Sequence, residues 1–569
     1  MKKIAYYFPL LLLILTSCGG TEEPQQKDAI GGKMYGGTFK FLSPEKINSL
    51  FPAETGDVYS QRVVSQLFES LLRIDGENMD VVPCIAESYM ESNDAKTFTF
   101  KIRKGIKFHE DDCFSGGARE LNAKDVKFAL EFSCSGLPNN TYSYLLVDKI
   151  EGAKQFNKIS KSSLPKTGVS GIVVKGDYEL EIKLITPSTD FAKILTHSGL
   201  GIFPAEAYEK YGKEIGKHPV GTGPFILTSH DNNGIVLNRN LSYWRKDELG
   251  NQLPFLHQID INYVKDKKSE LMAFRKKEID MVLEIPVEEI ENVFGSLQEA
   301  QEGKNVKHNV VATASMNIHY VAFACESAEF KDVRVRKAFN IALNRNDIVN
   351  KNLLGEGWPA LNGFVPKLQN YSAEKVKGHS FDVQLAQQLM TQAGYPGGKN
   401  FPVLDFYVNA AKGSASYKMC EGVVRQLKEN LGVTLNIKMC TYDEKEAAIT
   451  SGTAKIWRAA WIADYPDAVN FLSIFYGKNI PTNSNTVNPY KFRSQEFDLT
   501  LEKALKETND AKRNDYMVKC DQILVNEAPV MPILTEDFLA MTNARVRDFT
   551  INAMETLDFS KIYIKEMRK

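Results

Sequence analysis

The sequence predicts a mixed α/β protein of two or three lobes, on three observations. Its hydrophobic period switches repeatedly between two and about 3.6, the signatures of strand and helix. Its 569 residues are too many for one core. No stretch after the N-terminal segment approaches the ~18 consecutive apolar residues of a transmembrane helix. The charges balance, 70 basic against 71 acidic, which leaves no compositional case for nucleic acid.

The chain opens with Lys2-Lys3, an apolar run from Ile4 to Leu15, and Leu15-Thr16-Ser17-Cys18-Gly19. A short basic head and a brief apolar stretch before small residues describe an export signal, too short to span a membrane. Its end resembles the lipobox of bacterial lipoproteins. The resemblance implies removal of residues 1–17, a diacylglycerol thioether on Cys18 and usually a further acyl chain, such as palmitate, on its nitrogen. Each buried methylene adds ~0.8 kcal/mol, so two or more chains anchor a protein firmly. Residues 18–35 then form a lipidated tether, with the polar stretch Glu22 to Lys33 flexible. The mature protein is expected in the cell envelope, lipid-anchored to a membrane and facing the periplasm.

Further along, Thr97 to Ile102 alternates as a half-buried strand. Asn122 and Asp125 form a capping pair that opens a helix through Phe132. Gly171 to Leu184 and Phe225 to Asn238 read as hairpins. Helices at about 333–343, 382–393, 416–430 and 510–525 alternate with strands at 403–408, 433–439 and 456–461, so the second half reads as βα units with partly parallel sheet. The stretch Asp111 to Leu121 reads as an exposed loop. Besides Cys18 there are seven cysteines and no CxxC; export permits disulfides, and Cys420 with Cys440 is the favoured pair.

Four separated segments carry a resemblance. They are Ile85 to Ser88 with Phe98 to Phe108 and Ala123 to Val126; Pro219 to Phe225 with Leu237 to Asn240 and Tyr243-Trp244; Phe330 to Ala338 with Ala342 to Arg345; and Trp461 to Asp467 with Asn470 to Leu472. In this order they resemble the peptide-binding branch (family 5) of the extracytoplasmic solute-binding proteins that serve ABC importers. The resemblance implies a periplasmic-binding-protein-like type II clamp with an extra lobe inserted in its N-terminal half. Lobe I would use 36–58, 172–285 and 531–569, lobe II 59–171 and lobe III 286–530. The hinge would lie near Leu283–Pro286 and Val530–Ile533. The implied partners are a short peptide and the permease subunits of an ABC transporter, with the chain a monomer.

Some motifs read as structure. Gly221 and Gly223 before Pro224 suit a tight turn, since glycine tolerates positive φ. Arg334, Arg336 and Lys337 read as a solvated or salt-bridged face, or as a transporter-docking surface.

The fourth segment is where function is expected. Its strand ends in Ala459-Ala460-Trp461 and delivers Asp464 to the lip of a sheet, where open α/β folds place ligands. The resemblance implies that Asp464 anchors a peptide's α-amino group, for which a carboxylate is the natural partner. The backbone of Ala459 to Trp461 and, across the cleft, Glu54-Thr55-Gly56 would pair with the peptide as an added strand. Read bare, Asp464 and Asp467 suit a turn or cap equally well. Trp457, Trp461, Tyr465 and Phe471 either fill the core or, at a cleft, cover a ligand's apolar parts. One departure stands out. Dipeptide-binding members carry an arginine some fifty residues before this aspartate, whereas Val408 to Ser414 holds only Lys412, which lacks the planar bidentate fork.

Enzyme chemistry finds no footing. HExxH and GxSxG do not occur, and the eight histidines are scattered. Lys166-Thr167-Gly168 and Ser372 to Lys375 mimic two penicillin-binding motifs in reversed order, and proline spoils the helix of Ser43-Pro-Glu-Lys46. No catalytic residue, metal or cofactor is expected. Two alternatives stay open: a non-peptide cargo such as a nickel chelate, haem or sugar, or a sensor or receptor lipoprotein without transport.

Overall fold

The computed structural model describes residues 26–76, 78–264, 266–283, 308–480 and 488–565. Cys18 and the export segment lie outside them, as does most of the Leu283–Pro286 connection.

Two large sheets organise the molecule. The first has seven strands in the order Phe225–His230, Gly234–Arg239, Gln258–Tyr263, Thr38–Ser43, Met281–Leu283, Asp537–Asn543, His308–Ala314. The second has six, in the order Trp358–Pro359, Val530–Thr535, Asn317–Phe323, Ile456–Ile462, Leu404–Val408, Leu435–Met439. Leu404–Val408 runs parallel to both of its neighbours, as βα connections require. A smaller sheet joins Ala86–Glu91, Thr97–Ile102, Glu179–Lys183 and Ile172–Gly176. It is a sheet of its own without a core of its own, because Phe98, Phe100, Leu180 and Ile182 belong to the same apolar cluster as Phe39, Phe41 and Ile259 of the seven-stranded sheet.

Local sequence explains the elements. Asn122 and Asp125 close a capping box on the Ala123–Cys134 helix. Ser414 caps Ala415–Leu431, which ends at Gly432 in the left-handed region. Its Met419, Cys420, Val423 and Leu427 stripe packs on Phe406 and Val408 of the sheet.

Several expectations are corrected. The hairpin 172–183, assigned to lobe I from the sequence, pairs instead with Thr97–Ile102 of the small sheet. Most of Leu283–Pro286 lies outside the described residues, and Val530–Ile533 does not connect the two sheets. His308–Ala314 still belongs to the seven-stranded sheet and Val530–Thr535 to the six-stranded one, so the chain crosses at Ser315–Met316 and at Glu536. Asn317 Oδ1 there accepts from the Glu536 amide at 3.0 Å, and Ser315 Oγ donates to Glu555 at 2.7 Å.

The tether is docked from Gln26 onward. Lys27–Asp28 pairs with Met34–Tyr35, and Lys33 bridges Asp247 and Asp548 at 3.3 and 3.0 Å. The 111–121 loop is pinned by Arg119, which grips Asp125 and Glu206 through bidentate pairs. All seven described cysteines are free, including Cys420 and Cys440. Arg336 is buried and donates to the carbonyls of Phe330, Glu527 and Ala528, so it forms no docking surface. Gly221 and Gly223 do not have positive φ. They are glycines because a Cβ would stand 2.0 Å from the Leu67 carbonyl and 2.4 Å from that of Gln66. Among the described residues no helix is long and apolar enough to cross a membrane.

Candidate ligand cleft

The six-stranded sheet leaves an opening beside Ile456–Ile462. On one side that strand pairs along its whole length with Asn317–Phe323. On the other, Leu404–Val408 pairs only with Ile456 and Trp457. Among the described residues, the edge from Arg458 to Ile462 therefore has no strand partner on that side, and alternate residues there offer N–H and C=O groups.

This edge borders a cavity of ≈ 1570 Å³ between the two halves of the molecule, lined among others by Gly56, Tyr144, His197, Ala460, Trp461 and Asp464. The volume exceeds the ~300–1,000 Å³ usual for a drug-sized ligand.

Asp464 follows the strand, with 13 % of its side chain exposed. Tyr144 donates to Oδ2 at 2.7 Å and Asn470 Nδ2 to the same oxygen at 3.1 Å. His197 Nε2 lies 3.5 Å from Oδ1. Burial alone would lift this carboxyl, but its contact with His197 and the hydrogen bonds from Tyr144 and Asn470 outweigh it and hold the group below its ordinary range. Asn470 ties the turn together, since its Oδ1 also accepts from Trp461 Nε1 at 2.8 Å and from the Asp464 amide at 3.0 Å. No lysine or arginine among the described residues pairs with Asp464. It is an anion held by hydrogen bonds and open to a cavity.

The next residues of the turn do different work. Tyr465 is 3 % exposed, and its hydroxyl donates to Asp190 at 3.3 Å, so it reaches the facing half but not the cavity. Asp467 caps Ala468–Leu472, takes a bidentate pair from Arg513 at 2.8 and 3.0 Å, and meets Lys193 at 2.9 Å. Its role is structural. Tyr144, His197, Asp190 and Lys193 all come from the N-terminal half, so one turn of the second half touches the first at four side chains.

The remaining sequence-predicted residues divide. Ala460, Trp461 and Gly56 line the cavity, while Ala459 packs against the neighbouring apolar core. Trp457 and Phe471 are buried core residues. Thr55 is buried, with its carbonyl accepting from the Tyr142 hydroxyl. The Glu54 carboxylate is occupied by Ser49 and Asn139 at 2.5 and 3.0 Å. Lys412 is exposed in the loop after Leu404–Val408 and does not line the cavity.

Four further groups belong to the surroundings. Tyr144 and His197 sit in stretches without a motif, so only the fold could find them. Arg458 stands in the Trp457-Arg-Ala-Ala-Trp461 run itself. Its Nη2 donates to Ser416 at 2.8 Å and contacts His319 at 3.1 Å, while its buried Nε has no partner. Lys445, buried and bonded to Asn409 at 3.1 Å, is pushed down to about 8 by burial, with the Arg458 charge adding to the effect. Lys445 is paired with Glu446 at 3.7 Å, which leaves Arg458 as the incompletely compensated cation at the start of the open edge and Asp464 as the anion beyond its end; neither Arg458 nor Lys445 lines the cavity.

Comparison with known proteins agrees with this architecture. The model of the bacterial extracellular solute-binding proteins, family 5 (middle), matches residues 80–483. The oligopeptide-binding protein OppA of Bacillus subtilis is 27% identical over 556 residues, covering 94% of each chain. The heme-binding protein A of Haemophilus influenzae is 27% identical over 500 residues, covering 85% of this chain and 84% of that one. Among solved structures, the ABC transporter-associated periplasmic binding protein DppA of Helicobacter pylori, in complex with peptide STSA, superposes with a TM-score of 0.80 at 22% identity, covering 94% of this chain and 99% of that one. With the family model spanning more than half of the sequence, this chain belongs to the family 5 extracellular solute-binding proteins.

Proposed function

We propose that this protein captures short peptides by their free amino terminus and delivers them to the permease of an ABC transporter, tethered to a membrane through lipid on Cys18. The observation that carries the reading is Asp464: a largely buried carboxylate with two side-chain hydrogen-bond donors and His197 3.5 Å away, no lysine or arginine partner among the described residues, and an opening to the cavity. A buried anion without a cation is costly, and a ligand ammonium relieves that cost. The unpaired Arg458–Ile462 edge supports backbone pairing, which gives affinity without reading side chains. Arg458, with its unpartnered buried Nε, would favour the ligand's carboxylate at the opposite end. Peptide-binding relatives support the cargo class. Cys18 in its lipobox-like setting supports the anchor, and the export signal supports a place in the envelope.

The test begins with native mass spectrometry of the chain expressed from Gly19 and purified without refolding. Adducts whose fragments differ by amino-acid residue masses support the reading, whereas a single non-peptide adduct such as haem overturns it. Removing one member of a buried ion pair costs about 3–5 kcal/mol. Asp464→Ala is therefore expected to weaken free-amine peptides roughly a hundredfold or more in titration calorimetry, with N-acetylated peptides losing much less. Equal losses for both would sink the amine assignment.

A further inference from the structure

A histidine from across the cleft stands against Asp464. His197 is 5 % exposed and directly precedes the short turn Ser198–Leu200. Its Nδ1 accepts a hydrogen bond from the Gly199 amide at 3.0 Å. A nitrogen that accepts cannot carry a proton, so the ring proton sits on Nε2, which lies 3.5 Å from Asp464 Oδ1. The ring is packed against Tyr142 with centroids 4.5 Å apart. A Cβ on Gly199 would stand 2.2 Å from the Tyr142 ring and 2.9 Å from His197 Nδ1. The approach of amide to ring therefore needs a glycine.

We propose that His197 is a specificity-determining residue of the cleft: the Gly199 amide fixes it as an Nε2–H imidazole, which turns a neutral N–H toward Asp464 without neutralising it, so the site selects a ligand that brings its own ammonium. The inference rests on the amine-binding reading of Asp464. An imidazolium at the same place would do the opposite, pairing with Asp464 and repelling the incoming charge. Among the described residues no lysine or arginine pairs with Asp464, and Lys193 is held by Asp467. The Tyr142, Tyr144 and Tyr465 phenols are pushed up by burial, with the Asp464 charge adding to each. Asp57 acts on Tyr142 from the helix start, and Asp190 and Asp467 act on Tyr465. Arg513 is committed to Asp467.

The test uses the chain from Gly19 with a tetrapeptide library, free and N-acetylated. Long-range ¹H–¹⁵N spectra of the ligand-free protein at pH 7, with His197 assigned by its loss in His197→Gln, are expected to show the Nε2–H tautomer. An Nδ1–H or doubly protonated ring overturns the proposal. His197→Gln keeps a neutral donor and is expected to hold the preference for free amines within about threefold of wild type. His197→Lys supplies a fixed cation and is expected to collapse that preference, from roughly a hundredfold to less than tenfold, while N-acetylated binding persists. A preference that survives in His197→Lys, or collapses equally in His197→Gln, overturns the proposal. Should His197→Lys fail to fold, the His197→Gln ratio and the tautomer decide. A wild type without any preference for free amines would instead sink the amine reading of Asp464, and the tautomer would still test the Gly199 lock.

Discussion

At the residue scale, the cleft depends on a few atoms that leave no room. Gly199 has no space for a side chain on its Tyr142 and His197 side. Gly199→Ala is expected to push both rings away, lowering thermal stability by about 1–3 kcal/mol as overpacking usually does and weakening free-amine peptides about tenfold or more. Thermal unfolding and calorimetry on the same variant check both, and an unchanged affinity would mean that the ring positions do not matter. This part of the site was only half legible in the sequence. Asp464 and Trp461 stand in a motif and could be singled out. Tyr144 and His197 could not, because what gives them a role is their approach to Asp464 from segments some 320 and 267 residues earlier in the chain. Lys412 drew notice as the nearest cation in sequence, whereas Arg458, already on the cleft strand, has the unpartnered buried nitrogen.

At the element scale, the turn 464–467 acts as a clip between the two halves. Asp464 meets Tyr144 and His197, Tyr465 meets Asp190, and Asp467 meets Lys193. The Lys193 side chain is 26 % exposed, and Asp467 keeps Arg513 when Lys193 is removed. Lys193→Met should then cost only about 1 kcal/mol, seen as a fivefold or so loss of affinity that is the same for free and acetylated ligands. Small-angle scattering should show more of the open form in that variant at subsaturating ligand; a loss confined to free amines would place Lys193 at the ligand instead. The elements themselves were legible, because capping pairs, turn residues and hydrophobic period are local. The hinge was not. Val530–Thr535 and Asp537–Asn543 are both apolar strands, and only their pairing, with Asn317–Phe323 and with His308–Ala314, reveals that the chain changes sheets at Glu536.

At the scale of the whole molecule, the buried titratable groups set how the fold responds to acid. His109 and His379 are both pushed down to about 4 by burial. Their unfolded value is near 6.5, so between pH 6.5 and 4 the unfolded chain binds more protons and stability falls as pH falls. Asp521 works in the opposite sense. It is buried against the amides of Phe364 and Val365 and the Tyr371 hydroxyl, and burial pushes it up to about 6. It takes a proton in the folded state before it would in the unfolded one, which offsets part of the histidine loss in the same window. Asp464 and Asp467, both held low, contribute stability that disappears only as pH drops below the ordinary carboxylate range. From pH 7 to 5 each histidine costs about 2 kcal/mol and Asp521 returns a little over 1, so these three groups together should contribute a loss of about 2–3 kcal/mol in urea unfolding. His109 lies under the 219–225 segment, with Nε2 donating to the Gly223 carbonyl at 3.0 Å. His109→Gln can keep that bond but cannot titrate, so its stability should change by less than 1 kcal/mol over the same two pH units. A variant that lost as much as wild type would show that the acid response arises elsewhere, with His379 as the next group to replace.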